Sequence, residues 1–382
     1  MASKINIFKH FLLIISLLFI SYKGFSEEPE TPASTTEPTE TATHEEEHDS
    51  KLLSFNAGEM IVEHVADNHQ WHLFGHTSIA LPVIVKTDKG IEIFSSSHFG
   101  HDGKEHYQGE NYTYALEEGN VIVVNEAGVI NEGATATLWD FSITKNAMAM
   151  LISMVLMLIM FISVAKAYKR NEGRAPRGLQ SFIEPLILFI RDDVAKVSIG
   201  EKRYQQFLPF LLTVFFFIWI NNLLGLIPFF PGGVNVTGNI SVAMVLAAFV
   251  LLITIVIGNK HYWKHVFAMP GVPVGVLFIL TPIEILGLFL RPFVLMIRLF
   301  ANITAGHIIA LAFFSLIFIF GEMHAGLGFS VSALSLLFTV FMGALELLVA
   351  FLQAYVFTLL TSIYFGAAVD EGHEIHNHTD EH

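Results

Sequence analysis

Only seven charged residues lie between Phe207 and Gly366: Lys260, Lys264, Arg291, Arg298, Glu284, Glu322 and Glu346. The two lysines sit in a loop, but Arg298 stands deep within the run Phe293-Val-Leu-Met-Ile-Arg298-Leu-Phe-Ala-Asn302-Ile-Thr-Ala-Gly-His307. A guanidinium stays charged at any accessible pH, and a charge at membrane depth is costly enough that function is its first explanation. The alternative is a structural ion pair within a helix bundle, for example with Glu346. At roughly 100° per residue, Arg291, Arg298, Asn302, Ala305 and Ile309 fall near one helix face, while His307 lies opposite Arg298. Glu346 and Gln353 share a face of a later segment, and Gly343 is expected to allow close approach beside them. Both segments therefore carry polar stripes where lipid would demand none. Glu346 and His307 are both titratable, the histidine with a reference pKa near neutrality.

The elements that must position these residues are membrane helices. The 382-residue chain is 53% hydrophobic and 15% charged, with a mean hydropathy of +0.56. That composition excludes a soluble enzyme over most of its length. Residues Asn146–Ala165, Phe207–Phe230 and Ile240–Gly258 each approach or exceed the roughly 20 apolar residues of a transmembrane helix. Residues 327–366 run without Pro, Lys or Arg and as one helix would reach about 60 Å. Residues 281–320, with Pro292 inside them, pose the same problem. Neither stretch carries a hairpin turn signal, so each is expected as one long, strongly tilted and curved helix rather than a covert pair. Five crossings result.

Charge orients them. Residues 166–206 hold nine Lys or Arg against five acids, whereas residues 51–145 hold five against thirteen. The positive-inside rule places 166–206 in the cytoplasm, with Pro231-Gly232-Gly233 turning outside and the C-terminus inside. Within 166–206, Phe182, Ile183, Leu186, Ile187, Ile190 and Val194 recur at helical spacing, which predicts an in-plane amphipathic helix.

The front of the chain has another character. Residues 1–26 have the three-part layout of a secretory signal peptide. Residues 27–50 carry nine acids and no Lys or Arg and read as a disordered tether. Its His44-Glu-Glu-Glu-His48 formally matches a zinc motif, which needs a buried helix and a third ligand that a solvated acidic tract does not supply. Residues 51–145 read as a small, mostly β exported module with strands at Ile79–Lys86, Gly90–Ser95 and Asn120–Asn125. His69, His72 and His76 would share a face if helical, though a solvated polar surface is the favoured reading of the histidines, and no metal is expected. Residues 367–382 form a His-rich acidic tail. The absence of cysteine removes disulfides and thiol chemistry. The formal charge of −14 makes nucleic acid an unexpected partner.

The segment Arg298 to His307, the later Glu346-Leu-Leu-Val-Ala-Phe-Leu-Gln353 and the earlier Asn222-Leu-Leu-Gly-Leu-Ile-Pro228 closely resemble subunit a of the F-type ATP synthase. The match covers roughly residues 138–366, leaving the signal peptide, tether and β module outside the family's minimal pattern. The resemblance implies an ion-conducting stator beside a rotating ring of c subunits, held by b-type peripheral stalk subunits and serving the F1 sector indirectly. It implies a bacterial inner-membrane location, proton transport through two offset half-channels, no cofactor and no nucleotide chemistry in this chain. Arg298 would face the rotor carboxylate with Gln353 as its polar neighbour. Asn302, His307 and Glu346 would line the outer half-channel, with Asn222, Arg291 and Glu284 in support. His307 and Glu346 look like the mitochondrial-type arrangement, which some bacterial relatives carry exchanged.

Two other classes compete on the residues alone. A secondary transporter would bind an anionic substrate at Arg298, but such folds often show broken helices and repeats, and neither is visible. A membrane sensor reading a ligand through the exported module would need a cytoplasmic output domain, and the tail is short. No G-x4-G-K-[ST] run supports nucleotide binding.

Overall fold

The computed structural model describes residues 67–370, apart from 75–76, 101–102, 104, 118, 126, 228–229, 270 and 324. The expected signal peptide, acidic tether and His44–His48 pattern lie outside the described residues, as do His76 and the tail beyond Asp370. The described chain forms two compact units, His69–Ile143 and a second holding Asp67, Asn68 and Thr144 onward.

The first unit is a β module. Strands β1 (Gln70–Phe74) and β2 (Thr77–Ala80) pair antiparallel. Strands β3 (Pro82–Thr87) and β4 (Gly90–Ser95) form a second sheet, which β8 (Trp139–Asp140) joins at β3. Strands β5 (Tyr107–Gln108), β6 (Thr113–Glu117) and β7 (Asn120–Val124) make a third, followed by a short helix α1 (Glu132–Thr137). Alternation sends Val83, Val85 and Phe94 into a core with Phe99, Tyr114 and Val123. The single strand expected over 79–86 is broken at Leu81, whose amide donates to Ser96 Oγ at 2.9 Å and whose carbonyl accepts from Ser96 N at 3.0 Å. Those bonds take Leu81 out of the ladder, so the chain changes sheets there.

Two polar groups anchor this module. Glu92 is 8% exposed and accepts from Tyr114 Oη at 2.7 Å, Glu110 N at 2.8 Å and Asn111 N at 3.1 Å. Burial pulls its carboxyl upward, but these bonds outweigh burial and hold the pKa below the usual Glu value. His69 is 2% exposed, with Nε2 3.5 Å from Asp140 Oδ2. Gln70–Phe74 is extended, so His69 and His72 do not share a helical face, and His69 is buried rather than solvated. Among the described residues no cluster of three or more His, Asp or Glu is placed to hold a metal.

The second unit is helical. Helix α2 (Lys145–Arg170) starts where Asp67 Oδ1 accepts from Asn146 N at 3.1 Å and Thr144 Oγ1 from Ala147 N at 3.4 Å, satisfying amides that a helix start leaves free. It runs past the expected Ala165, and Lys169 and Arg170 complement its C-terminal carbonyls. Helix α3 (Leu179–Phe189), a π-helical turn (Ile190–Ala195) and α4 (Lys196–Ile199) form the expected amphipathic segment. Ile183, Ile190 and Val194 are buried in the bundle core, while Phe182 is exposed. Helix α5 (Tyr204–Leu226) stops short of Phe230 because Ile227, ahead of Pro228, is extended. Helices α6 (Ile240–Ile257) and α7 (Lys260–Phe267) follow, each capped by an Asn.

Helices α8 (Val274–Met323) and α9 (Ala325–Val369) are continuous, as expected, about 75 and 68 Å long at 1.5 Å per residue. Pro282 and Pro292 both lie inside α8 without ending it. The two run antiparallel, Asn302 meeting Gln353 and Arg291 meeting Tyr364. Five helices among the described residues are long and apolar enough to cross a membrane. The C-terminal end of α9 packs on the basic segment, with Ser362 Oγ donating to Val194 O at 3.3 Å.

Candidate functional site

The polar residues of α8 and α9 fall into three groups along the hairpin. At the level where α5 ends, Asn222 donates from Nδ2 to Ala350 O at 3.2 Å, and Thr237 donates to Asn222 Oδ1. Thr304 Oγ1 donates to Gly238 O at 3.2 Å. A Cβ added at Gly225 would lie 3.5 Å from His307 Nε2, and one added at Gly306 would lie 2.9 Å from Glu346 Oε1. His307 thus turns to α5, and Glu346 packs on the α8 backbone one residue before it. Glu346 Oε1 is buried with no hydrogen-bond partner among the described residues.

The middle group holds Arg298, Asn302 and Gln353. Asn302 Nδ2 donates to Gln353 Oε1 at 2.9 Å. Gln353 is 3% exposed. Arg298, one turn from Asn302, is half-buried, and among the described residues no carboxylate pairs with it. The ion pair with Glu346 that would make Arg298 merely structural is not formed.

The third group lies toward the α9 C-terminus. Arg291 Nη2 is 3.8 Å from Glu284 Oε2, and its Cζ lies 5.9 Å from the Tyr364 ring centroid. A small cavity there is lined by Val250, Thr254, Tyr262, Leu288, Arg291 and Tyr364. Arg291 is therefore tied up within its own helix while Arg298 is not.

Every site residue expected from the sequence is present in these groups, and one expected neighbour is not. Gly343 faces open space, so the glycine that lets α8 and α9 approach beside Glu346 is Gly306. Sequence reasoning missed Thr237, Thr304, Tyr262 and Tyr364. Thr237 had a faint signal, since Asn235-Val-Thr237-Gly238-Asn239 is unusually polar for a turn between two apolar helices.

Buried polar side chains joining the helices of an apolar five-span bundle define a multi-pass membrane protein with an intramembrane polar site. Residues 147–366 match the family model described as ATP synthase A chain. The chain belongs to that family, and with membership comes the role of proton-translocating stator in the Fo membrane sector. Residues 60–141 match a separate model, a domain of unknown function (DUF8433). The chain is 40% identical over 253 residues to ATP synthase subunit a of Chloroherpeton thalassium, covering 64% of this chain and 72% of that relative. It is 44% identical over 248 residues to ATP synthase subunit a 2 of Chlorobaculum tepidum, covering 62% and 67%. Against ATP synthase subunit a 2 of Prosthecochloris aestuarii it is 43% identical over 243 residues, covering 62% and 72%.

Proposed function

We propose that this chain passes protons to and from the carboxylates of a rotating c ring through two offset polar paths, with Arg298 as the fixed charge between them. The observation that carries the proposal is Arg298 itself, a cation without a carboxylate partner among the described residues, standing between two separately bonded polar groups. A rotor carboxylate in hydrocarbon prefers to be neutral, and an opposing cation within roughly 4 to 6 Å lowers its pKa by about 1 to 3. Arg298 would make each passing carboxylate release its proton toward the cytoplasm. The next site would then load from the outer path of Asn302, His307 and Glu346, supported by Asn222. Glu284 and Arg291 lie toward the end where α9 meets the basic segment 166–206, the side of release. Each charge crossing contributes about 2.3 kcal/mol per 100 mV.

The exposed apolar faces of α8 and α9, including Phe293, Ile297, Leu345 and Leu348, offer a surface for the c ring and for lipid. The b-type stalk subunits and, indirectly, the F1 sector complete the assembly. The β module would be periplasmic and the C-terminus cytoplasmic in a bacterial inner membrane. In this chain, which has no native cysteine, single cysteines at positions 307 and 346 should react with a water-soluble thiol reagent added from outside. Closure of both positions to the reagent would sink the outer path and leave packed polar residues as the explanation.

A further inference from the structure

The sheet of β4, β3 and β8 buries one face in the module core and leaves the other open. Register places Ile84 opposite Ile93, and Lys86 between Ile91 and Trp139. The Phe141 amide donates to Ile84 O at 2.8 Å. Ile84, Lys86, Ile91, Ile93, Trp139 and Phe141 therefore share the outer face. Ile91 is 65%, Ile93 69%, Trp139 48% and Phe141 40% exposed, and the two aromatic rings stack at 6.3 Å. Scattered exposed apolar residues are ordinary, but a contiguous set on one sheet face marks an interaction surface.

Two observations choose its occupant. Residues 51–145 are strongly acidic, thirteen acids against five bases, yet among the described residues of β3, β4 and β8 the one charged group on this face is Lys86. The acids of the same strands turn away, Glu92 into its three hydrogen bonds and Asp140 to His69 and Ser142 N. Chain length then limits where the face can be. Phe141 precedes Lys145, the first residue of α2, by four residues, so their Cα atoms are at most about 14 Å apart. That keeps the face within reach of lipid headgroups. Tryptophan settles at the headgroup level, and a lysine can lay its methylenes on apolar surface while its ammonium reaches phosphate.

We infer that this sheet face docks on the lipid surface of the leaflet from which α2 emerges. Ile91, Ile93, Trp139 and Phe141 enter the boundary between headgroups and acyl chains, and Lys86 meets anionic phosphate. The inference rests on α2 crossing the membrane. Single cysteines at 93, 120 and 158 of the full chain, each carrying an NBD label, test it in vesicles of phosphatidylcholine and phosphatidylglycerol. Asn120 is an exposed residue at the start of β7, and Leu158 is exposed on α2. The label on Ile93→Cys should lose emission to doxyl lipid and little to aqueous iodide, with the reverse order on Asn120→Cys. Iodide quenching at 93 equal to that at 120 would overturn the docking. Protection at 93 from both quenchers would overturn it too, assigning the face to a protein partner, a second copy or another segment of this chain. Quenching by iodide rather than doxyl lipid at 158 would refute the crossing itself, a result separable from the other two.

Discussion

Asn302→Ala removes the amide that donates to Gln353 Oε1 at 2.9 Å. Gln353 is 3% exposed, and its Nε2 has no hydrogen-bond partner among the described residues. The substitution therefore strands both ends of a buried amide. A buried group left without its partner costs about 1–3 kcal/mol, and interhelical hydrogen bonds in membranes average about 0.6 and reach about 1.7 kcal/mol. An expected loss of about 1–2 kcal/mol follows from the overlap of these ranges. Gln353→Leu in the same background replaces the stranded amide with an apolar group of similar size. The double variant should then be more stable than Asn302→Ala alone, with a coupling energy of about 1 kcal/mol. Reversible unfolding of the full chain in mixed micelles, measured for all four proteins of the cycle, reads this directly. Strict additivity of the two substitutions would refute the reasoning.

Four outcomes are expected elsewhere. Glu92 has a folded pKa below its ordinary value of 4.5, so its stabilisation is present above about that pH and lost as pH falls toward the folded pKa. Glu92→Gln should flatten the acid dependence of the β module, read from the emission of the buried Trp71; an unchanged acid profile would contradict this. Gly366→Ala would drive a methyl group into Ser198 O and should cost about 1–3 kcal/mol by overpacking; an unaltered unfolding midpoint would show that α9 does not hold the basic segment. Gly306→Val should displace the Glu346 carboxyl and slow ATP-driven pumping in an assembled complex, and an unchanged rate would count against Glu346 as part of the path. Deletion of residues 373–382 should leave pumping intact, and a tag after His382 should resist protease added to intact cells.

The membrane architecture was legible because its signals are long. An uninterrupted apolar run over 327–366 reads as a single helix even at twice the bilayer thickness, and α9 is one. Arg298 stood out as a candidate because a guanidinium deep in an apolar run has few explanations; Asn302 shares its helical phase, Glu346 and Gln353 share a face of the later helix, and their roles, with that of His307, came from the resemblance. What stayed hidden depends on contacts between distant segments. Gly343 stands between Met342 and Ala344 and Gly306 between Ala305 and His307, and only the packing of α8 on α9 shows which one meets Glu346. Leu81 sits in a β-like run in which Pro82 is the one breaker and becomes the first residue of β3, but the exchange of hydrogen bonds with Ser96 depends on a residue fifteen positions away. The outer sheet face was invisible for a similar reason, since Ile91, Ile93 and Trp139 become neighbours only through the β3 register.

ATP-driven proton pumping by vesicles containing the assembled complex with Arg298→Ala tests the central claim most directly. The fixed charge is assigned the task of discharging each rotor carboxylate, so pumping should be abolished while the complex still assembles. Arg298→Lys should not restore full pumping, because the ammonium lacks the planar, delocalised fork of the guanidinium. Normal coupled pumping by Arg298→Ala would contradict the account.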